Sequence, residues 1–440
     1  MSPTAPEDRQ VYLAMDFCLW VGELQLSSGA GAADVAGTMD SLARHLGLRP
    51  VIDVTFVSLH MSHQADPERP PMVQIRQVKQ RDIDYQDLTS VDHLVRYVLT
   101  DQVDLREARS RLARIVSSGH HLPRWAVTVG WGVMSAGVAV MLGGTGPMLP
   151  IAFLAAVSID LLQYWLTEYR FPFFYRQVAG GAVATMIAVV GAALLDVDPS
   201  RVVTANIILL LAGVGFMGAL QDALTGYYIT GSARILEALL ATTGIIAGVS
   251  GGLSLVAVFG LRIGRLDPGR VSFESVSSTA LGASIAGLAF AFASYAPRRS
   301  LVPIGLVAGV AMVINQVALL QFGRAWAAGI AAFFVGLVCW WISGQLGVPP
   351  LVLVVSAVVP LLPGLLIYRG LSLLTEGGVG ISSGLLSMVN AGSVATALAA
   401  GVILGEHLAQ PLKRRARRLG GALDVRQAGP RLVGVFRRPR

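Results

Sequence analysis

Residues 125–141 read WAVTVGWGVMSAGVAVM, a run without a single charged side chain. As a helix rising 1.5 Å per residue it spans about 25 Å, most of the ~30 Å hydrocarbon core of a bilayer. It opens an almost uniformly apolar tract that continues to Pro411. The tract divides into about ten stretches of spanning length, at 125–142, 149–167, 177–195, 202–219 and 235–258, then 276–295, 301–320, 325–342, 351–368 and 381–404. Only 14% of the 440 residues are charged and 54% are hydrophobic, against about 25% charged in an ordinary soluble chain. The expected fold class is therefore a polytopic α-helical membrane protein.

Before Trp125 the composition is that of a soluble domain. Val11–Leu26 carries Leu13, Phe17, Trp20, Val21 and Leu24 at helical spacing, and Ser27-Ser28-Gly29-Ala30-Gly31 ends that helix. A second helix fits Ala32–Leu46. Val51–Leu59 and Val73–Val78 alternate as strands around Pro67, Pro70 and Pro71, which predicts a two-stranded hairpin. Two more helices fit Asp87–Leu99 and Asp104–Ser117. The order ααββαα predicts an α+β domain over residues 1–124. The first residues lack a basic start followed by an apolar run, so no cleavable signal peptide is expected.

The apolar tract reads as two five-helix units, 125–262 and 276–409, separated by the polar stretch Arg262–Ser275 and followed by a tail at 410–440. Pro150 and Pro303 open the second and seventh stretches, and Gln163 and Gln316 each follow thirteen residues later. Because five is odd, the second unit enters the membrane from the opposite side. That predicts inverted repeats, an architecture of secondary transporters. Arginine placement favours both termini in the cytoplasm of an inner membrane, although Arg262, Arg265 and Arg270 would then face outward. Ten Lys/Arg against Asp424 in the tail suit anionic lipid headgroups rather than nucleic acid, since no aromatic-interleaved module accompanies them.

Polar residues within the tract are the functional candidates. Asp160 falls well inside the second stretch with Gln163 one turn on; it fits either a proton carrier or a hydrogen-bonding partner of a neighbouring helix. The segment Gly218–Glu237 is the densest polar cluster. Arg234 and Glu237 can pair at i,i+3, and Asp222 could join them or bind a substrate ammonium. Its counterpart is Pro360-Leu-Leu-Pro363-Gly364, where proline leaves carbonyls free. Breaks at Gly218 and at Pro363-Gly364 would place unpaired backbone groups in both halves; an interfacial loop with structural ion pairs is the alternative. Asn206, Asn315, Gln321 and Asn390 fit interhelical hydrogen bonds, and Gly244, Gly248 and Gly251 fit close helix contact. His60, His63, His120 and His121 lack a third ligand at metal-site spacing and read as surface residues. Neither a metal nor a cofactor is expected, and Cys18 and Cys339 make no disulfide framework.

Gly22-Glu23-Leu24, Ser27–Gly31, Val54-Thr55-Phe56, then Asp222, Gly226, Gly231, Arg234 and Glu237-Ala238-Leu239, and finally Pro363-Gly364 occur in an order that resembles the bacterial threonine/serine exporter family over residues 12–408. The resemblance implies a cytosolic N-terminal domain, ten transmembrane helices and proton-driven export of small hydrophilic amino acids. Split relatives imply dicarboxylates as an alternative substrate. The family's usual Pro-Gly pair in the fourth span is replaced here by Phe216-Met217-Gly218. Two other classes compete: a membrane-anchored hydrolase acting through residues 1–124, and a sensor. No nucleophile–base–orienter set supports the first, and intramembrane carboxylates disfavour a mere anchor. A homo-oligomer is compatible with the sequence.

Overall fold

The structure is a computed structural model that describes residues 6–68, 70–79, 81–144, 146–195, 199–210, 212–258, 275–376 and 380–427. Helices α1 (Pro6–Ser27) and α2 (Ala32–His45) precede strands β1 (Pro50–Val54), β2 (Ser58–His63) and β3 (Met72–Gln77), and α3 (Tyr85–Leu99) and α4 (Leu105–Ser117) follow. The sheet is antiparallel in the order β1-β2-β3. The expected hairpin is thus three strands. The alternating run over 51–59 is interrupted because the Thr55 hydroxyl and amide close a tight turn on Ser58, which starts a new strand. Leu59 and Met61 of β2 face the helices and pack with Phe17, Val21, Met39, Leu42 and Tyr85. His63, expected at the surface, is buried with its Nδ1 accepting from the Arg49 amide at 2.9 Å. Asp84 and Asp104 cap α3 and α4 through their carboxylates.

The remaining chain is helical: α5 (Arg124–Met141), α6 (Met148–Glu168), α7 (Phe173–Leu195), α8 (Pro199–Leu209), α9 (Ala212–Leu224) and α10 (Tyr228–Val258), then α11 (Val276–Ala293), α12 (Arg298–Leu319), α13 (Arg324–Leu346), α14 (Pro350–Val358), α15 (Gly364–Glu376) and α16 (Gly380–Gln427). Among the described residues seven helices are long and apolar enough to cross a bilayer; α14 and α15, bent by 47°, make an eighth as a pair. Leu306, Leu320, Trp326 and Val389 are exposed to an extent that water would not favour but lipid would. Exposed Trp165, Tyr169, Phe171 and Tyr175 gather at the α6–α7 turn, and Phe322 and Trp326 at the α12–α13 turn, the aromatic placement of bilayer interfaces.

Small residues let the helices approach closely. A Cβ added to Gly244, Gly248 or Gly252 on α10 would strike the α7 backbone at Phe174, Val178 and Ala182 respectively. The rising register means that α7 and α10 run parallel. On α16, Gly401 and Gly405 approach Gly329 and Phe333 of α13 in the same parallel sense. Gly251, grouped with these contacts from sequence, has nothing within 4 Å among the described residues. Its neighbour Gly252 takes the role because the contact row advances by four residues. Between the first helices of the two halves, Gly130 lies against Ala293, Gly137 against Ala286 and Gly282 against Met141, so α5 and α11 run antiparallel. The polar stretch expected between the halves lies, up to residue 274, outside the described residues.

Candidate functional site

The site forms where the soluble domain meets the α9–α10 hairpin. Helix α9 ends at a turn in which Gly226 adopts φ +97°, a left-handed conformation that glycine tolerates without strain. The chain then enters α10, whose first turns carry Thr230, Arg234 and Glu237. Asp222, on the last turn of α9, faces Arg234. Asp222 Oδ2 lies 2.7 Å from Arg234 Nη1, an ion-pair distance without hydrogen-bond alignment, and the two side chains are only 2% and 12% exposed. A buried pair of this kind needs additional donors and acceptors to offset its desolvation.

The soluble domain supplies them. Ala32 N–H donates to Asp222 Oδ1 at 2.8 Å. Gly31, the residue that starts α2, offers no side-chain cap, so Asp222 serves as the capping acceptor and its charge meets the positive end of the helix. Arg234 Nη2 donates to Ala30 O at 3.3 Å, and the Thr230 hydroxyl donates to Val54 O at 3.1 Å. Phe56 lies under the guanidinium of Arg81 at 4.2 Å. Burial, and then the positive charge of Arg234, pulls Arg81 down to about 10, so it is still a cation at neutral pH. The mouth therefore holds two cations, Arg81 and Arg234, against Asp222 and Glu237. Of the pairings the sequence allows, the structure makes the one between Arg234 and Asp222, which the α9–α10 turn brings across from it, while no Arg234–Glu237 ion pair is present among the described residues.

Gly218 lies inside α9 (Ala212–Leu224), with no break at that position. Its missing side chain makes room instead, since a Cβ there would stand 3.3 Å from Arg234 Nη1. In the second half the break lies where expected. A 3-10 turn at Val359–Leu361 leads to extended Leu362, and α15 begins at Gly364 with Pro363 O accepting from Ile367 N. Phe216 of α9, Ala238 of α10, Ile367 of α15 and Ala391 of α16 form a small core of their own, which packs α9 and α10 against the helix that follows the Pro363-Gly364 break.

Asp160 is elsewhere. Arg124 Nη2 lies 2.7 Å from both of its carboxylate oxygens, and the Thr128 hydroxyl donates to it at 2.7 Å. Asp160 lies eight residues before the end of α6, and its carboxylate is held by side chains from the first two turns of α5. A polar cleft of about 920 Å³ opens beside that end, lined among others by Ser27, Asp82, Asp84, Thr167, Arg170 and Arg176. Gln163 lies against Gly180 on α7 with its buried Nε2 unpartnered among the described residues. Gln316 stands near the far end of α12, about 25 Å by helix rise from Arg299, so the two glutamines do not share a site. No group of three or more His, Cys, Asp or Glu side chains suited to a metal is present among the described residues.

Arg81, Thr230 and Arg124 are not marked by the sequence. Each is a common residue type whose partner is more than thirty positions away or off its own element, so no local pattern distinguishes it.

These features define a polytopic helical membrane protein whose N-terminal α1–α4 and β1–β3 unit contacts a buried ion pair on the α9–α10 hairpin. The chain belongs to the threonine/serine exporter family. The family model described as "Putative threonine/serine exporter" matches residues 16–256, and a second, "Threonine/Serine exporter, ThrE", matches residues 279–408. The chain is similar to the "Probable threonine/serine exporter" of Mycobacterium tuberculosis, 33% identical over 427 residues, covering 95% of this chain and 80% of that protein. It is also similar to the "Threonine/serine exporter" of Corynebacterium glutamicum, 30% identical over 429 residues, covering 94% and 87%. No solved structure matches the chain.

Proposed function

We propose that this protein is a secondary active exporter of small polar amino acids, threonine and serine first, driven by protons across the bacterial inner membrane with both termini in the cytoplasm. The relatives are named as exporters rather than as enzymes, which supports transport over the hydrolase reading. The observation that carries the reading is the opposed direction of matching helices. Parallel pairs α7/α10 and α13/α16 use the same glycine contacts, and Pro150 and Pro303, Gln163 and Gln316, and Gly248 and Gly401 are each 153 residues apart. The first pair runs away from the soluble domain, since Thr230 at the start of α10 touches Val54. The second runs toward it, since Gly347 after α13 accepts from His93. Counting α8 with α9 and α14 with α15 as single passes gives ten spans in two inverted five-helix repeats. Repeats of that kind support alternating access around a site between broken helices.

In this reading Asp222 holds the substrate ammonium and Arg234 its carboxylate, while Glu237 and Arg81 balance the charge. The break at Pro363-Gly364 supplies backbone polar groups as further contacts. A carboxylate that binds either a proton or an ammonium, but not both, couples the two fluxes in opposite directions. Asp222 is thereby the coupling group. Asp160, held by two donors on α5, positions α6 against α5. Asp160→Asn is accordingly expected to lower the melting temperature and to leave uncoupler-sensitive export within about threefold of wild type. A tenfold loss of export at normal membrane level and unchanged melting would transfer the proton to Asp160.

The direct test is efflux of labelled threonine and serine from peptide-loaded cells, with and without the protein and an uncoupler. Faster, uncoupler-sensitive efflux is expected. Equal efflux with the protein present in the membrane would reject these substrates, and labelled dicarboxylates would be measured next.

A further inference from the structure

The contacts at the mouth are made by the wrong partner for a transporter ready to load. Asp222 and Arg234 are both occupied, and their occupant is the backbone of the soluble domain. Ala32 presents an N–H to Asp222, and Ala30, two residues earlier, presents a carbonyl oxygen to Arg234. A donor facing the carboxylate and an acceptor facing the guanidinium, held on one short segment, is the polar pattern of an α-amino acid zwitterion. The Ala32 N–H at the start of α2 adds the partial positive charge of a helix N-terminus, as an ammonium would. Gly31 between them has no side chain, and a Cβ there would already contact Asp222 Oδ1 at 3.4 Å and Asp34 Oδ2 at 3.8 Å.

We propose that segment Ala30–Ala32 is a built-in substrate mimic: it occupies the Asp222–Arg234 site in the closed protein and must leave before a zwitterionic amino acid can bind. The proposal rests on the reading of Asp222 and Arg234 as the substrate-binding pair. Three features support displacement as the loading step. First, the hydrogen bonds that the soluble domain makes to the pair come from neutral backbone groups, so each joins one charge to a dipole where a true zwitterion would set charge against charge. Second, Val54 and the Thr230 hydroxyl make the third contact of the same latch, on the adjoining strand, so one rigid movement of the domain releases all three. Third, the pair is almost closed to solvent in the present arrangement, so a substrate cannot reach it by side-chain motion alone. Substrate and soluble domain then compete for one site, and cytosolic amino acid opens its own route.

The test uses the full chain with Thr230→Cys in nanodiscs, where both faces are accessible. Native Cys18 and Cys339 are buried, which keeps background labelling low. The rate at which the cysteine introduced at position 230 reacts with a soluble maleimide is measured with and without saturating threonine. The measurement is repeated in the double variant that also carries Gly31→Leu. The proposal expects labelling to accelerate at least fivefold with threonine. It also expects fast labelling without threonine in the double variant, where the leucine side chain introduced at position 31 wedges α2 away. Labelling that is indifferent to threonine, in a protein that still exports threonine in cells, would overturn the mimic while leaving the exporter reading intact. Absence of threonine export by the wild type would instead remove the reading on which the mimic depends. Slow labelling in the double variant, with threonine still accelerating the single variant, would move the displaced contact away from Ala30–Ala32 and overturn the assignment.

Discussion

Asp222→Ala is expected to abolish export and to destabilise the protein by about 3–5 kcal/mol, the usual result of stranding one member of a buried ion pair. Arg234 would keep its charge, almost shielded from solvent, with the Ala30 carbonyl left as its hydrogen-bond acceptor at 3.3 Å. The loss of Ala32's acceptor would add the cost of an uncapped helix start, about 1 kcal/mol. The double variant Asp222→Ala/Arg234→Ala removes both charges together. The part of the loss that comes from the stranded charge should return, because no charge is then left buried without a partner, while the uncapped Ala32 N–H and the vacated volume remain as costs, and the two substitutions will be strongly non-additive. Export should not return in the double variant, since the groups assigned to the ammonium and the carboxylate are both gone. Thermal melts of the purified full chain and threonine efflux in cells read the two effects separately. Export restored in the double variant would reduce the pair to a structural fastening between the soluble domain and α10.

The second large effect separates two glycines three residues apart. Gly248→Val should prevent α7 and α10 from packing, because even a Cβ there would overlap the carbonyl oxygen of Val178. No rotamer relieves a clash with backbone, so the helices must separate, at a cost of several kcal/mol by analogy with overpacked cores. The variant is expected at a small fraction of wild-type membrane level, with no measurable export. Gly251→Val, on the open side of the same helix with nothing within 4 Å among the described residues, should accumulate and export normally. A branched side chain there faces lipid, which accepts it without penalty. Equal behaviour of the two variants in a membrane-level immunoblot would contradict the α7/α10 contact. The matching site in the second half, Gly401, is pressed in the same way against the Gly329 carbonyl oxygen and should behave like Gly248.

Both expectations trace back to features of different legibility. Most spanning helices are readable from residue order because bilayer thickness sets the length of an apolar run; the runs at 202–219 and 351–368 are each divided between two helices, and the run at 381–404 belongs to a helix that continues to Gln427. The end of the first soluble helix at Ser27 and the restart at Ala32 are readable from the Ser/Gly cluster, and the Pro363-Gly364 break from proline's missing donor. The third strand is not, because Thr55-Phe56-Val57 carries no glycine or proline and its turn depends on a Thr hydroxyl finding Ser58. Gly218 misleads as a break because glycine in a helix can mean either a bend or a close neighbour, and only the position of Arg234 distinguishes them.

Residue order by itself determined the membrane class and the family pattern, since each depends on periodicity or local backbone chemistry. Tertiary structure alone decided that Asp222 pairs with Arg234 rather than leaving Arg234 to Glu237, that Asp160 belongs to Arg124, and that the Ser27–Gly31 and Val54–Phe56 motifs meet the α9–α10 hairpin across nearly two hundred residues. The physical reason is range. Helix and turn preferences act over a few residues, whereas a buried charge is satisfied by whatever donor the packed fold brings to it, and the chain between them records nothing of that meeting.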